Sequence, residues 1–269
     1  MTFDKQYFNL GALDRLSYQD TFVHRLDPRA KVIAVMAFVF TVVSWPKYEV
    51  IALAPFFLFP VLLMALGDIP FSVVLKKALI VSPFAVFIGI LNPILDPGTV
   101  TLFGISMSAG WLSFLSIMMK FMLTISAGLV LIATTSFPGV CHALRRLGMP
   151  SVFVSQLLFL YRYIFVLMEE TMRMVRARDM RSFGRRGTGA KVAARIIGTL
   201  FLRTLERAER IYSAMLSRGF RGDIPSIKQY SFRVADTAFV LLTIAGLALF
   251  RFVSIPELIG SFMLFLFKT

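Results

Sequence analysis

The chain has 269 residues, 57% of them hydrophobic, and a mean hydropathy of +0.76, whereas soluble domains hold roughly 45–50% apolar residues. It also carries 29 Lys and Arg against 15 Asp and Glu, a formal charge of +14, yet its 28 Phe exclude a disordered nucleic-acid-binding tail as the source of that charge. A single cysteine, Cys141, excludes a disulfide framework, and with only His24 and His142 beside it no protein-only zinc site is expected. What satisfies all of this is an all-α polytopic membrane protein whose charge is concentrated in one part of the chain.

Residues 1–31 are polar and contain Asp4, Asp14, Asp20 and Asp27, unlike a cleavable signal peptide. Apolar stretches then predict five membrane spans. The first covers 32–45 and ends at Pro46-Lys47. The second, 50–66, is free of charge but interrupted by Pro55 and Pro60. The third follows Lys76 and Lys77 and reaches Leu91 before Asn92-Pro93; Pro83 can kink it. The fourth, 111–137, holds one charge, Lys120, which either faces a subunit interface or snorkels. The fifth, 232–250, has Asp236 near its start and Arg251 after its end. Residues 255–267 are apolar but too short for a separate span.

Lys5, Arg15, Arg25, Arg29 and Lys31 precede the first span, and only Lys47 follows it before the second. Residues 93–110 contain no Lys or Arg, while 138–231 hold 17 basic and 6 acidic side chains and so supply most of the net charge. By the positive-inside rule the N-terminus and 138–231 are expected in the cytoplasm and 93–110 outside. The expected organisation is a cytoplasmic segment 1–31, a four-span region 32–137, a cytoplasmic segment 138–231, and a final span with its C-terminal segment, 232–269.

The cytoplasmic segment reads as helix. An amphipathic piece follows Phe137-Pro138 and closes at Gly148 and Pro150. From Ser151 the chain is apolar to Met168 and charged to Arg181, one long helix half against the membrane and half wet. Gly184 to Gly189 is an interhelical turn; its glycines lack the phosphate-loop lysine, and G-x-x-x-x-G-K-[ST] occurs nowhere. A second long helix runs from Ala190 to about Ser217. Its apolar stripe is Val192, Ile196, Leu200, Leu205, Ala208, Tyr212 and Met215, with core packing as the simplest role for each. With their arginines the two helices cannot both lie in hydrocarbon and are expected along or beneath the inner face. They are expected to rest on anionic lipid, to form a platform for a soluble partner, or to do both through different residues.

Each long helix ends on an arginine preceded by a small residue: Ala177-Arg178-Asp179 and Ser217-Arg218-Gly219. A cation at a helix C-terminus is favoured by the dipole by about 0.3–1 kcal/mol. Two such tips also suit docking, because a guanidinium presents five donors to carbonyls and carboxylates. At these residues the chain resembles the transmembrane T component of energy-coupling factor (ECF) transporters, with their paired X-Arg-X motifs. The resemblance extends to His24-Arg25-Leu26-Asp27-Pro28-Arg29-Ala30-Lys31 before the first span and to the order of spans and coupling helices. The run 217–222 is most similar to the cobalt-type family, CbiQ; Asp179 departs from the commoner Ala-Arg-Gly, and either clamps a basic neighbour or caps.

The resemblance implies a non-catalytic coupling subunit of an ATP-driven importer in a bacterial cytoplasmic membrane, with cobalt as substrate and nickel or a vitamin as the alternative. It implies no cofactor in this chain, ATP being bound by two CbiO-like ATP-binding cassette subunits on which Arg178 and Arg218 dock. Further implied partners are a CbiM-like substrate-binding membrane subunit, a small CbiN-like subunit and the lipid bilayer, with no nucleic acid. Leu205, Tyr212 and Met215 are the residues for helix crossing or contact with the substrate-binding subunit. A stand-alone secondary transporter should show inverted repeats or midplane charges, and a lipid enzyme a catalytic cluster; the sequence shows none of these.

Overall fold

The computed structural model describes residues 16–95, 98–102, 105–181, 189–222, 224 and 230–252. The chain divides into two compact units: Leu13–Ser136 with Tyr230–Thr269, and Phe137–Gln229.

The first unit is built round α4 (Ala109–Thr134), which packs against α1 (Pro28–Val43), α2 (Leu58–Leu66) and α3 (Phe71–Gly89); α8 (Val234–Phe252) packs on α1. Asp27 caps α1 by accepting from the Arg29 amide at 2.8 Å, and Pro28 pre-sets the first helical φ. One apolar core joins Val35, Phe38, Val42 and Trp45 to Leu53, Phe56, Leu123, Ala127 and Leu247. Phe38 stacks on Phe59 with centroids 4.5 Å apart, and Trp45 meets Phe56 edge-on at 5.5 Å. Toward the other end of α4, Val130 and Ala133 pack with Val23, Leu63, Met64, Ile69 and Val74.

The outward faces are apolar as well: Ile80, Phe87 and Leu242 are 72–77% exposed. Burying large apolar side chains within while displaying others without suits a hydrocarbon solvent. Among the described residues, four helices are long and apolar enough to cross a membrane: α3, α4, α8 and Ser151–Arg181 (α6). This is a multi-pass membrane protein.

Several sequence boundaries shift. The first span is a 16-residue helix, because Asp27-Pro28 starts it and it stops before Trp45. The stretch expected as one span over 50–66 is a 3₁₀ segment, Ile51–Phe57, followed by α2. Pro55 and Pro60 supply no amide to an α-ladder, which accounts for the tighter winding there. α3 continues through Pro83 to Gly89. Residues 93–110 are not mere loop: Asn92–Leu95 forms one helical turn, and β1 (Thr99–Leu102) pairs antiparallel with β2 (Ile105–Ser108), Thr99 opposite Ser108. Gly110 allows this close return, since a Cβ there would lie 2.5 Å from Pro93 Cα.

The second unit contains α5 (Phe137–Arg146), α6 and α7 (Ala190–Ser217). α5 buries Gly139, Cys141 and Ala143, and the chain turns out of it through Gly148 at φ 106°. Phe137 stacks on Tyr161 of α6 with centroids 4.7 Å apart. The expected turn over Gly184–Gly189 lies outside the described residues except for Gly189, which precedes α7 at φ −64° and ψ 140°.

Candidate functional site

The two arginine-bearing ends lie on α6 and α7 but are built differently. Arg178 sits inside the last turn of α6, which continues to Arg181. Its Nε and Nη2 both donate to Asp179 Oδ1, at 3.0 and 2.6 Å, so Asp179 clamps the adjacent arginine rather than capping the helix. The pair is solvated, with side chains 32% and 58% exposed, and such pairs contribute about 0–1 kcal/mol. Two guanidinium donors committed to Asp179 leave the Nη1 side for another acceptor.

Arg218 is the C-cap of α7. Gly219 follows in the left-handed region at φ 80°, its amide donating to Leu216 O at 2.9 Å while the Phe220 amide donates to Met215 O at 3.0 Å. This is a Schellman end, which satisfies otherwise orphaned carbonyls and demands glycine at the turn. Phe220 meets the ring of Phe159 on α6 at 6.4 Å, and Ser155 Oγ donates to Gly222 O at 3.0 Å. The turn is thereby fastened to α6 while Arg218 itself is exposed and makes no ion pair among the described residues. Ser217 Oγ folds back to Ser213 O at 3.0 Å, and Ala177 is half-buried.

Between α6 and α7 lies a groove of about 730 Å³, its apolar wall including Phe159, Val166, Leu167, Leu205, Tyr212 and Met215. Arg203 Nη1 reaches across to Glu170 Oε1 at 2.9 Å. Leu205 and Tyr212 are 48% and 58% exposed, and no residue of α7 is buried among the described residues. Within the stripe Leu205, Ala208 and Tyr212 are exposed, whereas Val192, Ile196, Leu200 and Met215 are half-buried. Part of α7's apolar surface opens into the groove through Phe201, Leu205, Tyr212 and Met215, while Ile197, Leu202 and Leu216 are exposed outside it. Val192, Ile196, Leu200, Thr204, Ile211 and Met215 are the less exposed positions of α7.

A second polar constellation, in the first unit, was legible only as a lead-in motif. Lys31 Nζ donates to Thr134 O at 2.8 Å, and Asp236 accepts from the Asp27 and Arg233 amides, both at 2.7 Å. His24 Nε2 lies 3.0 Å from Leu16 O and 3.3 Å from Ala133 O, with Thr21 Oγ1 2.7 Å from Nδ1. Burial holds His24 below its ordinary pKa of 6.5, helped by Lys31 and opposed by the carbonyl of Ala133. A lowered imidazole value stabilises the fold fully above that ordinary value, and the contribution fades as pH falls from there through the lowered one. Thermal unfolding in detergent should therefore show a Tm that declines between about pH 7 and 5, and His24→Gln should flatten the decline.

Within the first unit Lys120 Nζ donates to Trp45 O at 2.6 Å, tying the middle of α4 to the chain just past the end of α1. The indole of Trp45 in turn lies under Arg251, 4.4 Å from ring centroid to guanidinium. Cys141 is buried, which pushes its thiol up to about 11 and makes it inert. His142 beside it belongs to no metal-binding group among the described residues.

A family model described as CbiQ, cobalt transport protein, matches residues 19–230. The chain is 28% identical to an energy-coupling factor transporter transmembrane protein EcfT of Streptococcus thermophilus over 253 residues, 86% of this chain and 94% of that one. It is 28% identical over 100 residues to the cobalt transport protein CbiQ of Salmonella typhimurium, covering 37% of this chain and 44% of that protein. An uncharacterized protein of Methanocaldococcus jannaschii is 35% identical over 127 residues, 46% of this chain and less than half, 44%, of its own length. The family match takes in α1 to α4 of the first unit, all of α5, α6 and α7, and both arginine ends. The chain belongs to the CbiQ family, the transmembrane T components of energy-coupling factor transporters.

Proposed function

We propose that the chain is the non-catalytic coupling subunit of an ATP-driven importer, passing motion from two ATP-binding cassette subunits to a separate substrate-binding membrane subunit. The observation that carries this reading is the pair of long helices α6 and α7, each ending on an arginine, with an open apolar groove between them. Arg178 and Arg218 dock the two ATPases, which hold the ATP; the groove, through Leu205, Tyr212 and Met215, receives the substrate-binding subunit. The family model's description supports cobalt as the substrate. Because the substrate site belongs to another chain, nickel or a vitamin is the second reading.

Co-expression with its ATP-binding and substrate-binding subunits, followed by ATP-dependent uptake of radiolabelled cobalt and nickel into proteoliposomes, tests the role and the substrate together. Failure of ATP-binding subunits to co-purify overturns the coupling role. The positive-inside rule supports a cytoplasmic N-terminus and a cytoplasmic location for the basic side chains of 138–231, whose helix α6 is itself apolar enough over its first half to enter the membrane. A cysteine placed at position 100 in a Cys141→Ala background should react with an impermeant maleimide on whole cells, and one at 187 only after permeabilisation.

A further inference from the structure

The chain leaves the first unit at Ser136 and returns to it at Tyr230. Around those two points the structure gathers an unusual density of buried polar groups. Thr134 ends α4, and its carbonyl, one of the orphans every helix end leaves, accepts from Lys31 Nζ at 2.8 Å. The neighbouring Ala133 carbonyl lies against His24 Nε2. On the returning side, Asp236 at the third position of α8 takes the Arg233 amide on one oxygen, the acidic half of a capping box, and the Asp27 amide on the other. Asp27 uses its own carboxylate to cap α1. A side-chain hydrogen bond between Ser136 and Tyr230 joins the outgoing and returning strands directly.

Asp27, Lys31, Thr134 and Asp236 are each 2–4% exposed. Burying a lysine and two carboxylates is costly, and apolar side chains of the same volume would hold three helices together at less expense. What such groups add is directional: each fixes a specific amide or carbonyl at a specific helix end. Here the ends so fixed are the start of α1, the end of α4 and the start of α8, the last two being the chain's exit and re-entry.

We propose that His24, Asp27, Lys31 and Asp236, with the Ser136–Tyr230 bond, form a clamp that fixes both crossing points and so act as positioning residues through which displacement of 137–229 reaches α4 and α8. The proposal rests on the coupling role above, since a clamp at the crossings matters only if movement passes through them. Strands left loose there would absorb a displacement locally instead of moving the membrane helices.

Tyr230→Phe removes one hydroxyl and keeps the ring, so it spares the fold; Asp236→Asn keeps the shape but halves the acceptor capacity. Two measurements separate the clamp from the coupling role. Hydrogen exchange in the purified chain, followed in peptides covering 133–136 and 230–236, should speed by about fivefold in Tyr230→Phe, the loss of one hydrogen bond in a local opening equilibrium, and by more in Asp236→Asn. In proteoliposomes with the ATP-binding and substrate-binding subunits, both variants should assemble and hydrolyse ATP at the unsubstituted rate while substrate taken up per ATP falls several-fold. Unchanged exchange overturns the clamp. Faster exchange with an unchanged uptake-to-hydrolysis ratio overturns the positioning role and leaves a purely stabilising network. Should Asp236→Asn not accumulate, Tyr230→Phe decides alone. Failure of the unsubstituted chain to bind ATP-binding subunits would instead refute the coupling role, a result the exchange measurement does not share.

Discussion

Arg178→Ala combined with Arg218→Ala should abolish ATP-driven uptake while the chain still inserts and folds. Both side chains are solvent-accessible at the ends of α6 and α7, so truncating them opens no cavity and exposes no buried partner. A well-placed interfacial arginine is worth about 2 kcal/mol when truncated to alanine, some 30-fold in affinity. Two tips engaging two separate subunits should act additively, so the double variant should lose on the order of 10³ in assembly. The single variants should differ. Arg218 is presented by a turn that Gly219, Phe220 and Ser155 hold in place, so its loss should be the more severe. Arg178 must share its guanidinium with Asp179, and Asp179→Ala should therefore have a mild effect of either sign, within the ~1 kcal/mol of an exposed pair. Gly219→Val supplies a further control: a β-branched residue at φ 80° should misplace Arg218 without removing it and reproduce much of Arg218→Ala. Co-purification of the ATP-binding subunits and uptake in proteoliposomes read all five variants. Normal assembly of the double variant would sink the docking assignment.

The helices legible in the sequence were those whose pattern is set locally. α6 and α7 announce themselves by uninterrupted runs bounded by Pro150, Gly189 and Gly219, and their ends fall where those residues put them. The segment 50–66 is an apolar helical stretch, as its hydropathy predicts, but its division into a 3₁₀ and an α part follows from Pro55 and Pro60, which act on winding rather than on solvent preference. The hairpin over 99–108 was hidden for a related reason: four-residue strands of mixed Thr, Val, Ile and Ser carry too little periodicity to stand out between two apolar helices. The clamp was the hardest to foresee. Asp27 and Asp236 are 209 positions apart, and nothing in the sequence pairs them; only the motif His24 to Lys31, polar residues poised before an apolar helix, hinted at a buried role. The arginine tips were legible as residues, yet their difference in build depends on Asp179 turning back on Arg178 and on Phe220 reaching Phe159, which are contacts of the folded chain.

Leu205→Glu should detach the substrate-binding membrane subunit while leaving the ATP-binding subunits in place. Leu205, Tyr212 and Met215 line one wall of the groove between α6 and α7, and Leu205 is 48% exposed there, so a carboxylate is tolerated in the free chain. Once a partner's apolar surface closes the groove, that carboxylate is desolvated without a counter-charge, at a cost of several kcal/mol, enough to lower affinity by about 10³ or more. Arg203 does not rescue it, being engaged with Glu170 at 2.9 Å. Tyr212→Ala should be the graded version, losing aromatic contact area at about 2 kcal/mol, or some 30-fold. The Glu170–Arg203 bridge offers a check on mechanism. It spans the two helices, so Glu170→Gln should alter how far the groove opens with little change in its apolar lining, and should affect uptake more than binding. Pull-down of the two classes of partner from one membrane extract separates these effects: the Leu205 variant loses one class, the Arg178 and Arg218 double variant the other. Retention of the substrate-binding subunit by Leu205→Glu would remove the groove from the transport cycle and leave its apolar wall to the lipid.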